Sequence, residues 1–358
     1  MDVKEYKVLV PIKSGHIAPS SKVKRVNEFF DDAYLEESFE QLQQLSNIFS
    51  VNIYGLNIPI LIHRLLQNPS SVIDKIITHS QHEIRYLFSK TIVEFKPAIK
   101  LEMIFQAYLA EVRKNSNQTH GTNVDEHEIV FLVKFGFAFE EALKKIFFVI
   151  DLACPGAFEY ECLLKVLDDN NYFGESDGLG SLSYQGASHC IEKGWPTIHK
   201  LEAKKVWEWI RETPLILDTP ANNSIERALN AYSHTFYSQY RERKNGLTWA
   251  MVAVEALYNQ DGNNDVQRKI RENAEALLGN IEWLKKMIDN MYNVRSKLFH
   301  GGLPVNSIFA LPTKQKNTNL EESMSLAVGL LIGTFQKLII DNMHSLEFER
   351  TVTVKQPK

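Results

Sequence analysis

The sequence predicts an α+β protein: an N-terminal α+β domain over residues 1–205, then an all-α helical bundle over 206–345 and a short C-terminal tail over 346–358. Three observations carry this expectation. The first half alternates short β-rich runs with helical spacing, everything after Pro220 has helical periodicity, and the texture changes between Trp195 and Pro220. With 44% apolar and 23% charged residues, the chain has the composition of a folded globular protein and not of a disordered one. At roughly 100 to 200 residues per domain, its 358 residues suggest about two cores.

The strand candidates are 6–12 (YKVLVPI), 48–53 (IFSVNI), 91–95 (TIVEF), 129–139 (IVFLVKFGFAF) and 147–152 (FFVIDL), each rich in β-branched and aromatic residues. The run after Glu128 suits a buried helix equally well, because periodicity does not separate the two in a wholly apolar run. Residues 39–45 and 72–88 have helical spacing. From 161 to 186, Gly, Ser, Asn and Asp are dense and one long loop is expected; no Gly-Lys-Ser/Thr ending supports a phosphate cradle there. Beyond Pro220, Asn223 and Glu226 have capping-box spacing, and Ile225, Leu229, Tyr232, Phe236 and Tyr240 trace one helix face. A second helix follows from Leu247, Met251, Val254 and Tyr258, and a third from Ile270, Ala274, Leu277 and Ile281. A fourth carries Leu284, Ile288 and Met291 and ends at Gly301-Gly302, where glycine can take the left-handed cap conformation. Asn319 and Glu322 form another capping box before an apolar helix over 324–343. Its most apolar part, 326–335, is about half the roughly 20 residues that span a bilayer, so it is expected to be buried.

Forty basic against 44 acidic residues give a net charge of -4, which argues against a whole-surface nucleic-acid binder but leaves room for a local basic site. Three cysteines do not make a disulfide framework, and the N-terminus has no basic segment followed by an apolar one, so a cytoplasmic setting is expected. Cys154, Cys162, His189 and Cys190 are ligand types for zinc without a C-x2-C knuckle, and His79, His82, His120 and His127 are expected at the surface.

The most informative segment is 291–302, MYNVRSKLFHGG. Extending the stripe Leu284, Ile288, Met291 by four and three residues reaches Arg295 and Leu298, which places a permanent charge on the buried face. Such a guanidinium needs a carboxylate, for which Glu255 is the candidate, or it opens onto a site that holds an anion. His300 lies five residues on, about 140° round a regular helix, so Arg295 and His300 do not share a face. Convergence of the two requires a distorted last turn or two copies of the chain. Arginine suits a phosphodiester and its transition state, and histidine titrates near neutral pH and suits proton transfer.

This segment resembles the R-x4-H motif of HEPN domains, with Ser296 as the polar residue after the arginine. The helix at 249–258, with Glu255 among apolar residues, is similar to its counterpart in the Apea-like HEPN group, and 223–240 resembles that group's first helix. The resemblance covers roughly 206–343. It implies a HEPN-type bundle that homodimerises and brings two motifs into one cleft, forming a metal-independent endoribonuclease with no cofactor. Many such enzymes are antiphage defence or toxin effectors. On this resemblance Arg295 holds the scissile phosphate and His300 takes the ribose 2'-OH proton, with Glu255, Ser296 and Lys297 in support. Gly302 stands where the subgroup regulated by AMP transfer has tyrosine, which counts against that antitoxin arrangement. The first domain, which resembles nothing named, is expected to sense a trigger or restrain the nuclease. The competing readings are a non-catalytic HEPN module that binds nucleotide or RNA as a scaffold, and a metal-dependent hydrolase in the first half.

Overall fold

The computed structural model describes residues 5–14, 24–46, 48–65, 91–115, 124–160, 162–167, 171–177, 182–212, 221–237, 243–259, 265–302 and 318–348. β-Branched and aromatic runs in the first half pair into β1 (Tyr6–Ser14), β2 (Ser50–Ile53), β3 (Leu56–Leu65), β4 (Thr91–Pro97), β5 (Phe158–Tyr160), β6 (Cys162–Leu167) and β7 (Asn171–Asp177). They form a sheet in the order β2-β3-β4-β1-β6-β7, with β5 also paired to β1, and every pairing is antiparallel. β1 is central: Val8 lies opposite Phe95 of β4 and Lys165 of β6, and Tyr6, Val8, Leu9 and Val10 are all buried. β2 and β3 are joined by Tyr54-Gly55 at φ 50° and 73°, the two left-handed positions of a tight hairpin turn, where glycine carries no steric cost.

The helices are α1 (Lys24–Phe29), α2 (Asp32–Leu45), α3 (Leu101–Asn115), α4 (Val124–Ala153), α5 (Ser183–Lys193), α6 (Ala203–Glu212), α7 (Ser224–Ser233), α8 (Arg243–Tyr258), α9 (Val266–Leu278), α10 (Leu284–Phe299) and α11 (Thr318–Ile340). The expected strands at 6–12, 48–53 and 91–95 and the helix at 39–45 are present, while 72–88 lies outside the described residues. The runs at 129–139 and 147–152 are not strands; both belong to α4. Phe131, Phe135 and Phe139 recur every four residues, their rings 5.8 and 5.7 Å apart in sequence, and Tyr6 of the sheet meets Phe135 and Phe139 edge-on. A helix whose inner face packs so many aromatics has β-like composition, and tertiary burial overrides that propensity.

The loop expected over 161–186 is also corrected: β6 and β7 pair across it and α5 starts at Ser183. Polar residues on an edge strand have turn-like composition without forming a turn.

After Pro220 the expected helices form with shifted ends. Asn223 and Glu226 make a reciprocal cap, the Asn223 Oδ1 accepting from Glu226 N at 2.9 Å and the Glu226 carboxylate accepting from Asn222 N at 2.6 Å. α7 gives way at His234 to a 3-10 turn containing Phe236, and Tyr240 lies outside the described residues. Ile281 falls beyond the end of α9. Asn319 is not a cap, because α11 already begins at Thr318. α11 is long and apolar enough to cross a membrane, yet 83% of its most apolar window is buried inside the protein.

Buried residues on both sides of 205 join in one cluster. The Phe148 ring of α4 packs at a tilt against Tyr232 and Phe236, with centroids 5.9 and 5.4 Å away. The Gln336 amide of α11 donates to Leu152 O at 3.0 Å and to His199 O at 2.8 Å, and its oxygen accepts from His199 N at 2.8 Å. Asp151 is 3% exposed and accepts hydrogen bonds from the Ser183 hydroxyl and, at 3.0 Å, from the Tyr232 phenol, tying α4 to α5 and α7. A buried carboxylate requires such partners. Leu346, just past α11, is buried too, and Phe348 lies 6.0 Å from Tyr258.

α5 and α11 approach at glycine. A Cβ at Gly329 would stand 2.2 Å from Cys190 Sγ and 2.8 Å from Gly186 O, so any larger residue must push the helices apart. Gly329→Ala is therefore expected to destabilise the fold by about 1 to 3 kcal/mol and to lower the melting temperature by at least about 2 °C. Thermal unfolding followed by circular dichroism checks this, and a variant that melts with the wild type contradicts the close approach.

Candidate functional site

α10 buries Leu284, Ile288, Met291 and Tyr292, an i, i+4, i+7, i+8 pattern that packs one face against the bundle, with Val294 buried on its flank. It ends at His300, whose backbone N–H donates to Ser296 O at 2.9 Å, and Gly301 follows at φ 71°, the left-handed position after the cap. The expected stop at the glycine pair is therefore present.

Arg295 lies at the edge of the buried stripe. Its Nη2 is 3.4 Å from Glu255 Oε1 of α8, with the two side chains 35% and 28% exposed, as the sequence led one to expect for this pair. Tyr292 Oη donates to the same carboxylate oxygen at 3.1 Å. The Arg295 guanidinium carbon lies 4.8 Å above the Phe299 ring, a cation–π contact, and Arg295 Nε is buried with no hydrogen-bond partner. Glu255 and Phe299 thus aim the guanidinium while leaving it partly open to solvent. Phe299 is 52% exposed, and on α8 Val252 and Trp249, three and six residues before Glu255, are 45% and 37% exposed, with His234 stacked on Trp249 at 4.1 Å.

His300, Ser296 and Lys297 are exposed. No hydrogen bond or ion pair joins His300 to Arg295 among the described residues, and the regular helix between them turns by about 140°. The last turn is not distorted enough to bring them together. Within one chain the structure unites Arg295 with Glu255 and leaves His300 apart.

Lys297 faces a different feature, a cleft of about 180 Å³ between α10 and the first turns of α11. Met287, Val294 and Leu326 give it an apolar floor, and Asn290, Asn293, Asn319, Glu322 and Ser323 complete a polar wall. Of the residues that line it only Lys297 was expected from the sequence to support a site, although Asn290, Asn293 and Lys297, at i, i+3 and i+7, already share one helix face.

Among the described residues no group of three or more His, Cys, Asp and Glu side chains is placed to hold a metal ion. Cys154 and Cys190 are free and buried; burial pushes the Cys154 thiol up to about 11 and the Cys190 thiol up as well, so neither is an activated nucleophile. The side chain of Cys162 and residues 79, 82 and 120 lie outside the described ones, while His127 is half-buried with its ring 6.2 Å from Tyr108. Comparison of the chain with protein-family models, with curated proteins and with solved structures finds no match.

Two outcomes follow for the Arg295 cluster. Because both partners are partly solvated, Arg295→Ala is expected to cost no more than about 1 kcal/mol, with a similarly small coupling to Glu255→Ala in a double-mutant cycle. Urea unfolding measures it, and a loss above about 3 kcal/mol would mark the arginine as a structural ion-pair member. Burial first, and then the Glu255 carboxylate, push the Tyr292 phenol far above its ordinary 10.0, and burial does the same to Tyr258 and Tyr232. The unfolded chain therefore loses these protons from about pH 10 upward while the folded one keeps them. Stability should be unaffected by these groups below that pH and fall above it, with phenolate absorbance rising only as the protein unfolds.

Proposed function

We propose that the C-terminal bundle is a HEPN-type, metal-independent endoribonuclease that works as a cytoplasmic antiphage defence or toxin effector, with the first half as its sensor or restraint. The observation that best supports this reading is the condition of Arg295: a permanent cation aimed by Glu255 and by the exposed Phe299, still partly open, with the exposed apolar Val252 and Trp249 on the helix that carries Glu255. Exposed apolar side chains on the two helices that hold an oriented charge suit a surface that a second copy covers. Since Arg295 and His300 point to different sides of α10, a complete site takes Arg295 from one copy and His300 from the other.

In that site the guanidinium binds the non-bridging oxygens of a phosphodiester and neutralises the charge that builds on them in the pentacoordinate transition state. The His300 imidazole accepts the proton of the ribose 2'-OH, the O2' atom attacks phosphorus, and the P–O5' bond breaks. The 5' oxygen leaves as a hydroxyl after taking up a proton, and the other product is a 2',3'-cyclic phosphate. DNA is inert because it has no 2'-hydroxyl. Lys297 and Ser296, exposed on the last turn, add a positive charge and a hydroxyl near the substrate backbone.

Purified protein in EDTA should cleave tRNA or total RNA, and Arg295→Ala or His300→Ala should each lower the rate by about 10² or more. Mixing the two inactive variants should restore part of the activity, because a mixed dimer keeps one intact site. Equal cleavage by wild type and variants rejects the assigned residues. A monomer in light scattering that binds RNA without cutting it favours the non-catalytic HEPN module instead.

A further inference from the structure

The cleft between α10 and α11 lies on the His300 side of α10. Lys297 precedes His300 by three residues, and Gly302 packs against it, so that a Cβ on Gly302 would stand 3.6 Å from Lys297 Cγ. The wall of the cleft is therefore continuous with the turn that carries His300. Arg295 is about 200° from Lys297 round the helix, on the opposite face.

We propose that this cleft seats a guanine base, that of the nucleotide whose phosphate is cleaved; the assignment rests on the ribonuclease reading for its place in a reaction. Size comes first. A volume of about 180 Å³ is below the roughly 300 Å³ at which sites for drug-sized ligands begin, which suits one base with its sugar and phosphate outside the cleft. The floor contains Val294 and Leu326, both buried and apolar, which suits the flat face of a base.

Polarity then narrows the choice. The rim carries one ammonium, Lys297, and one carboxylate, Glu322, so it is neutral overall and selects a neutral ligand over a phosphate, which Glu322 repels. A carboxylate can only accept hydrogen bonds when ionised and an ammonium can only donate. The matching edge must offer a carbonyl oxygen to Lys297 and N–H donors to Glu322. Guanine places O6 beside N1–H and the N2 amino group, so Glu322 can accept two hydrogen bonds side by side while Lys297 donates to O6. Adenine has no carbonyl, and uracil offers one N–H where guanine offers two adjacent groups. Asn290 and Asn293, with a donor and an acceptor each, stand on the α10 wall, and neither these carboxamides nor Lys297 has a hydrogen bond or ion pair among the described residues. Reading a single unstacked base in this way is how proteins recognise single-stranded RNA.

The test uses the full chain and the four nucleoside monophosphates, whose identical phosphates leave the base as the only variable. By calorimetry or ligand-observed NMR, GMP should bind about tenfold more tightly than AMP, CMP or UMP, and Glu322→Gln should remove that preference. Glu322 is exposed, so the variant should fold, which circular dichroism verifies. On a mixed-sequence RNA, wild-type cuts should cluster at guanosines and those of Glu322→Gln should scatter. Equal affinity for all four, no binding, or a guanine preference untouched by both Glu322→Gln and Asn293→Ala overturns the proposal. GMP held in the cleft of a chain that cuts no RNA removes the ribonuclease reading and keeps the cleft as a site for free guanine nucleotide. RNA cleavage without base preference or GMP binding does the reverse.

Discussion

The structure depends on the burial of α11. A 23-residue helix with this much apolar surface is stable in water only when other elements enclose it, and Leu330, Leu331, Ile332, Phe335, Leu338 and Ile339 are all sealed from solvent. α5 covers one side through the Gly186 and Gly329 contact, and α8 and α10 cover others, with Tyr258 of α8 hydrogen-bonded to Thr334. Of the polar side chains that α11 buries, Ser323, Thr334 and Gln336, the two deepest, Thr334 and Gln336, are satisfied by named partners.

That enclosure also sets out the candidate site. α8 and α10 pack on the same central helix, and this brings Glu255 of one to Arg295 and Tyr292 of the other. The opposite side of α10 meets the first turns of α11 without filling the space between them, which leaves the cleft. A cation oriented on one face and a polar cleft on the other are consequences of a single helix being gripped on its apolar stripe. The free end of that helix, closed by a left-handed glycine, holds His300 outside both.

The two halves of the chain share a core, because Asp151 near the end of α4 anchors Ser183 and Tyr232, and Gln336 bridges back to Leu152 and His199. A change that alters the packing of the sheet side against α4 can reach α7 and α11 through those bonds. This is a physical route by which the first half can influence α8 and α10, and it requires no separate hinge.

Local rules were enough for the helices after Pro220, where stripes of Ile225 and Leu229, Leu247 and Met251, and Leu284 and Ile288 repeat at the helical period and Asn223 with Glu226 marks a start. They were enough for β1, β2 and β4, and for pairing Arg295 with Glu255, since a guanidinium on an apolar stripe needs a carboxylate. They failed at α4, where aromatic residues every four positions also alternate along the chain, and at β6, β7 and α5, where edge polarity and glycine have loop-like composition. The cleft was invisible because its two walls are some 30 positions apart in sequence, and only packing on α11 brings Lys297 to Glu322. Periodicity records which face of a segment avoids water; which segment covers that face, and what gap is left beside it, is decided when side chains of fixed volume must fit together in three dimensions.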